Sequence, residues 1–280
     1  MLKIKNRKVE KLTNILRRMK RVVVAYSGGV DSAFLIYTAR AALGKDNVLA
    51  VTAASESMPA SEERLARETA KRLSVDHMVI RTGELKDKNF KNNPIDRCYY
   101  CKKELFGKLG TIAKKGGFHF VLDGSTVDDL DDVRFGRIAA QEEGVKSPIQ
   151  EAGLSKDEVR FLSKNAGLLN WDKPSSACLA SRFAYNQKIT KDRLRSIEEA
   201  EEFIKKLGFD QVRVRRHENL ARIEVGKDEI GKFLEKGARD KIVKKLRSLG
   251  FVYITLDLMG YRTGSMNEGL REARSNIMAA

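Results

Sequence analysis

The chain has 280 residues, 42% of them hydrophobic and 33% charged, with three cysteines and a formal net charge of +16. That length suits two domains. No apolar run approaches the ~20 residues needed to cross a bilayer. The opening MLKIKNRKVEKLTNILRRMK is charged throughout and lacks a signal peptide's apolar core, so the expected location is cytoplasmic, with no membrane partner.

In chain order, RVVVAYS reads as a β-branched strand and DSAFLIYTARAAL as a helix, with a Ser-Gly-Gly loop between them. NVLAVTAAS is a second strand, ASEERLARETAKRLS an amphipathic helix capped at Ser61, and DHMVIRT a third strand. KKELFGKLGTIAKKGG predicts a helix ending at glycines, and FHFVLDGST a strand opening into a polar loop. Strands alternating with helices predict an α/β fold, a doubly wound parallel sheet that binds ligands at the carboxyl ends of its strands. From about residue 186, KDRLRSIEEAEEFIKKLGFDQVRVRRH and ARDKIVKKLRSLGFVYITLDL each give helix, glycine, strand around a shared Leu-Gly-Phe. This short repeat predicts a smaller C-terminal α+β domain, ferredoxin-like in arrangement, over 186–280, after a nucleotide-binding domain over 1–185.

The chemistry begins at Ser27, Gly28, Gly29, Asp31 and Ser32. Glycines after a strand let backbone N–H groups approach a phosphate, and the next helix directs its positive end there. The serines add hydroxyl donors and Asp31 can hold a Mg²⁺ that bridges phosphate oxygens. The loop lacks the lysine of G-x-x-x-x-G-K-[ST] and the spacing of G-x-G-x-x-G. It resembles the S-G-G-x-D-S loop of the PP-loop ATP pyrophosphatases, which implies ATP as cofactor, gripped by its pyrophosphate, and transfer of AMP to a substrate oxygen. In that family the second strand often lines the adenosine site, which here points to Thr52, Ser55 and Ser57.

Cys98 and Cys101 form a C-x-x-C in NNPIDRCYYCKKELF, and Cys178 sits in KPSSACLASRF. The pair fits a shared metal or cluster as well as a redox couple, and Cys178 alone fits simple burial. A structural zinc site needs a fourth protein ligand, and His77, His119 and His217 lie far from the cysteines in sequence. A [4Fe-4S] cluster with one open iron fits three ligands.

SGGVDS, RCYYCKKELF, KPSSACLASR, VRRHENLARIEV and DLMGYRTGSMNEG, in that order, make nearly the whole chain similar to the LarE family of ATP-dependent sulfur transferases. The resemblance implies synthesis of the nickel-pincer nucleotide cofactor of lactate racemase. The substrate is then pyridinium-3,5-biscarboxylic acid mononucleotide, whose carboxylates become thiocarboxylates after adenylylation. A carboxylate oxygen is a poor leaving group; AMP is a good one, and Mg²⁺ neutralises the departing pyrophosphate. The family has two sulfur sources: the cysteine matching Cys178, consumed to dehydroalanine, or a sulfide on a four-iron cluster held by three cysteines. The added C-x-x-C favours the cluster on Cys98, Cys101 and Cys178, fed by sulfide or a sulfur donor. Family analogy also implies a homo-oligomer.

A mononucleotide bearing two carboxylates needs cations. Strand alternation puts Arg213 and Arg215 on one face, opposite Val212 and Val214, with Arg222 and Glu224 on the next segment. The plainer reading is a solvated strand face with cross-strand ion pairs. Arg182 is a candidate to hold the activated carboxylate, Lys102 or Lys103 to touch phosphate, and Asp128, Asp129 or Asp131 to face ATP or Mg²⁺. Trp171 packs the loop that presents Cys178. Two competitors share the loop: a tRNA thiolase, which the positive charge suits but which tends to carry RNA-binding modules absent here, and a non-catalytic nucleotide or iron–sulfur sensor. Nucleic acid is therefore the disfavoured partner.

Overall fold

The structure, a computed structural model, describes residues 7–130, 135–174 and 177–268. The chain divides into two compact units, Met1–Phe90 with Asp96–Ser176, and Lys91–Ile95 with Ala177–Ala280. The sequence reading set the boundary after residue 185. In the structure residues 177–185 belong to the second unit, where Phe183 pairs with Arg216 and Arg182 with Glu201.

The first unit opens with helix α1 (Arg7–Met19), followed by β1 (Val22–Ala25), α2 (Val30–Leu43), β2 (Val48–Ala54), α3 (Ala60–Arg72) and β3 (Asp76–Arg81). The single-turn α4 (Lys88–Lys91), the long α5 (Arg97–Gly116), β4 (Phe120–Leu122), α6 (Phe135–Glu142), the short α7 (Pro148–Glu151) and α8 (Lys156–Asn165) follow. The highly charged start of the chain is a helix because its apolar residues Val9, Leu12, Leu16 and Met19 recur at helical spacing and are buried. Helix α3 starts at Ala60 with Pro59 at its cap position, so Ser61 lies inside the first turn and is no cap. Helix α8 has a full capping box, Ser155 with Glu158.

The four strands run parallel in the order β3-β2-β1-β4. Val22 and Val24 pack with Phe34, Leu35, Ala66 and Leu162 on one face, and Val23 and Val51 with Phe106 and Leu109 on the other. Burial on both faces is the signature of a doubly wound sheet, and it requires the continuous apolar run seen in β1. The order changes direction between β1 and β4, so the loops leaving these two strands flank the crevice where such sheets bind ligands. Gly124, just past β4, presses on the first turn of α2: a Cβ there would lie 2.9 Å from the Ser32 nitrogen.

The second unit contains α9 (Lys191–Lys206), β5 (Val212–His217), β6 (Leu220–Val225), α10 (Lys236–Ser248) and β7 (Tyr253–Leu256). Its sheet has the order β5-β6-β7, with β5 and β6 antiparallel and β6 and β7 parallel. The repeated helix-glycine-strand units are therefore α9–β5 and α10–β7, around a central β6. The expected ferredoxin-like arrangement does not form among the described residues: that pattern needs four strands with another strand between the ones matching β6 and β7, whereas here these two are hydrogen-bonded neighbours. Among the described residues, no helix is long and apolar enough to cross a membrane.

Gly124→Ala is expected to lower stability by ~1–3 kcal/mol, the usual cost of overpacking, and to weaken ATP binding because the strain falls on the first turn of α2. Calorimetric titration of nucleotide against a urea melt reads both; unchanged ATP affinity in the folded variant contradicts this account of the crevice.

Candidate active site

The loop after β1 is held by its own serines. Ser27 Oγ lies 3.2 Å from Ser32 Oγ and accepts the Gly29 N–H at 3.3 Å, while Ser32 Oγ donates to the Gly29 carbonyl at 3.2 Å. Gly28 has φ of +78°, which only glycine adopts readily, and its Cα faces Ala66 of α3, 3.4 Å from where a Cβ would stand. Gly29 caps α2 without any side-chain hydrogen bond, which leaves the first N–H groups of a 14-residue helix for an anion.

Asp31 lies in that first turn. Burial pushes its carboxyl up to about 6; Lys156 opposes the shift, Asp129 adds to it, Arg160 opposes it and Asp128 adds again. A partly buried carboxylate that is uncomfortable as an anion gains from a divalent cation, which fits the Mg²⁺ reading. Asp128 and Asp129 are engaged locally: Asp128 accepts the Lys156 N–H at 2.7 Å, and Asp129 accepts the Thr126 N–H at 2.9 Å and the Lys156 ammonium at 2.9 Å. Asp131 lies outside the described residues.

At the end of β2, Thr52 is buried, donates to the Tyr26 carbonyl at 2.8 Å and meets His77 Nε2 at 2.8 Å. Its hydroxyl is spent on joining β1, β2 and β3. Ser57 donates to Glu84 Oε1 at 2.6 Å, and Ser55 does so at 2.5 Å. Glu84 thus gathers both serines that the sequence assigned to the adenosine wall.

Cys98 and Cys101 lie inside the first two turns of α5, earlier in the helix than the sequence pattern placed its start. At positions i and i+3 two thiols share a helix face, and a helix N-terminus favours thiolates, so the pair fits two ligands of a soft metal centre. Cys98 is exposed and Cys101 partly so. Lys102 points along α5 over the Phe106 ring, and Gly136 of α6 packs against its stem. Lys103 instead pairs with Glu142 and Glu143 at 2.8 and 2.9 Å. Among the described residues, no group of three or more His, Cys, Asp or Glu is gathered as for a metal ion.

In the second unit Cys178 is exposed and caps a short 3-10 turn, Leu179–Arg182. Its carbonyl accepts from the Ser181 hydroxyl at 2.8 Å and from Arg182 Nη1 at 3.0 Å. Arg182 is buried; Nη1 also reaches the Ala177 carbonyl at 2.7 Å, while Nε and Nη2 grip Glu201 at 3.0 and 3.2 Å. Its donors hold the backbone of Cys178 and so differ from the carboxylate clamp read from sequence. Glu201, also buried, accepts the Val214 N–H at 3.0 Å and so ties α9, β5 and the Cys178 turn together.

Arg213 and Arg215 do share a sheet face, opposite Glu224 and Arg222 in register. Arg215 is spent on Glu224, with Nε and Nη2 on one carboxylate oxygen at 3.0 and 2.8 Å. The other oxygen of Glu224 accepts the Ser265 hydroxyl at 2.6 Å, and Arg222 pairs with Asp257 at 3.2 Å. Arg213 is different. It donates to the Val212 carbonyl at 2.8 Å and lies 5.3 Å from the Tyr261 ring centre, and among the described residues it makes no ion pair. Burial lowers its pKa, and the neighbouring Arg182 lowers it further, with Arg215 adding a smaller push. A half-buried guanidinium beside other cations is a site that gains from an anion.

A parallel sheet with a glycine-serine phosphate loop at its switch point defines a PP-loop ATP pyrophosphatase, and the NAD synthase family model matches residues 4–94. The chain is 41% identical to the pyridinium-3,5-bisthiocarboxylic acid mononucleotide synthase of Lactiplantibacillus plantarum, over 94% of this chain and 95% of that protein. It is equally similar, at 41% over 94% of this chain and 98% of the relative, to an uncharacterized protein of Synechocystis. A protein of Methanocaldococcus jannaschii, also uncharacterized, is 32% identical over 94% of this chain and 97% of its own length. The chain belongs to the family of the mononucleotide synthase, the LarE family of ATP-using, sulfur-inserting enzymes.

Sequence reasoning missed Gly124, Glu201 and Glu84. Gly124 had a signal, a glycine directly after a strand; Glu201 had none, being one acid among several in a charged helix.

Two outcomes follow from these environments. Because the Asp31 pKa is raised above its unfolded value near 3.8, its carboxyl contributes stability below pH 4 that is lost as pH rises through about 6. In metal-free buffer Asp31→Asn is therefore expected to be more stable than wild type by ~2–3 kcal/mol at pH 8, with no gain at pH 3.5. Urea melts at the two pH values check this. Glu201→Ala leaves Arg182 buried without its carboxylate and is expected to cost ~3–5 kcal/mol, against a smaller loss for Glu201→Gln; equal losses contradict the ion-pair account.

Proposed function

We propose that this chain adenylylates the carboxylates of pyridinium-3,5-biscarboxylic acid mononucleotide with ATP and converts them to thiocarboxylates, in nickel-pincer nucleotide synthesis. The observation that carries the reading is the 41% identity to the synthase over 94% of this chain, joined to the uncapped start of α2. The N–H groups at the start of α2 and the hydroxyls of Ser27 and Ser32 bind the pyrophosphate of ATP and stabilise its departure as the substrate carboxylate attacks the α-phosphorus. Asp31 would hold Mg²⁺ there, and the ion, when bound, would supply charge neutralisation. Arg213 binds an anionic group of the mononucleotide, supported by its lack of an ion pair among the described residues. Arg182 and Glu201 orient the turn that carries Cys178, and Arg215 and Glu224 fix the strand face on which Arg213 stands.

For the sulfur, we propose a [4Fe-4S] cluster on Cys98, Cys101 and Cys178. When bound, it would supply sulfide for displacement of AMP. The reading is supported by the shared helix face of the C-x-x-C and by the exposure of Cys178. Anaerobically reconstituted wild type is expected to hold about four iron and about four acid-labile sulfide per chain, lost in Cys98→Ala, Cys101→Ala and Cys178→Ala. Wild type without iron, and with Cys178 converted to dehydroalanine after one turnover by mass spectrometry, would instead make the protein's own cysteine the donor.

A further inference from the structure

The Gly28 carbonyl receives two side-chain donors from a distant part of the first unit: Asn170 Nδ2 at 3.3 Å and Lys173 Nζ at 3.4 Å. Neither residue is needed by the sheet. Asn170 is only 4% exposed, and its Oδ1 has no hydrogen-bond partner among the described residues, so the amide is buried to bring its nitrogen to this one carbonyl. Lys173 is anchored from the other side by Glu62 of α3 at 2.5 Å. The segment bearing both is itself fixed to α8, where Arg160 donates to the Trp171 and Lys173 carbonyls at 3.2 and 2.9 Å.

We propose that Asn170 and Lys173 are positioning residues, a clamp that sets the plane of the Gly28–Gly29 peptide and so forms the pyrophosphate seat. The peptide unit is planar and trans, so its C=O and N–H point in opposite directions. Pinning the Gly28 oxygen toward Asn170 and Lys173 turns the Gly29 N–H the opposite way, onto Ser27 Oγ at 3.3 Å, and so braces the side of the loop on which the anion is to lie. A Gly-Gly pair is the most freely rotating stretch a chain can have. Without the clamp, rotation of this peptide turns a carbonyl oxygen into the seat, where it repels phosphate. The clamp works by holding a backbone dipole rather than by touching the ligand.

This rests on the reading that the loop binds the pyrophosphate of ATP. The test is calorimetric titration of inorganic pyrophosphate with Mg²⁺ into wild type, Asn170→Asp, Lys173→Met, the double variant and Lys173→Arg, with urea melts alongside. Asn170→Asp keeps the shape and sets an acceptor against the carbonyl. It and Lys173→Met are each expected to weaken pyrophosphate binding about tenfold, the worth of one hydrogen bond to a charged or buried group, in protein that the urea melts show to be folded at the titration conditions, although Lys173→Met also strands Glu62 and lowers the midpoint. Because both act on one oxygen, the double variant loses less than the product of the two, and Lys173→Arg retains most of the affinity. If Asn170→Asp does not fold, Asn170→Ser, whose hydroxyl is too short to reach, takes its place. Wild-type affinity in both single variants overturns the clamp. Loss confined to the Lys173 variants makes that lysine a direct ligand and also overturns it. Wild type that binds no pyrophosphate removes the phosphate-seat reading and the clamp together.

Discussion

The first turn of α2 has to keep its N–H groups unpaired, and most of the first unit is arranged around that requirement. A helix start normally takes a side-chain cap; here Gly29 provides none. These N–H groups are left for water or an anion, and the neighbouring backbone is held in place. Gly28 stands in the left-handed region against α3, Gly124 presses from the β4 side with no room for a Cβ, and Ser27 and Ser32 brace each other across the loop. The parallel order with its reversal between β1 and β4 is what brings these pieces from separate parts of the chain to one crevice.

The second unit solves a different electrostatic problem. It gathers arginines on and beside one sheet face, and burying several cations is costly unless each is matched. Arg182 is matched by Glu201, Arg215 by Glu224 and Arg222 by Asp257. The matching leaves Arg213 without an ion pair among the described residues and fixes its surroundings. Glu201 has a double duty, since the same carboxylate that holds Arg182 also accepts a strand N–H, so the turn bearing Cys178 is tied to the sheet through one side chain.

Much of this was readable from the sequence where local chemistry is dense. The strand, glycine loop and helix at residues 22–43 announce themselves because a β-branched run, two glycines and an apolar helix pattern each admit few alternatives. Helix α1 is easily overlooked, since its four buried apolar residues are diluted by basic neighbours and only their helical spacing marks it. The roles of the arginines were half legible: alternation along β5 gives their shared face, but which arginine is neutralised depends on Glu224 across the sheet and Glu201 on another element. The arrangement of the smaller sheet was misjudged because a repeat of helix and strand does not say which strands become neighbours.

The central claim, that this family member couples ATP cleavage to sulfur insertion into a carboxylate-bearing mononucleotide, is tested most directly by mass spectrometry of the product. Protein reconstituted with iron and sulfide is incubated with ATP, Mg²⁺ and pyridinium-3,5-biscarboxylic acid mononucleotide, and thiocarboxylate is quantified beside AMP and pyrophosphate. The account predicts one AMP and one pyrophosphate released for each oxygen replaced by sulfur. Pyrophosphate release that does not depend on the mononucleotide, or a mononucleotide recovered with both carboxylates intact while ATP is consumed, would contradict it.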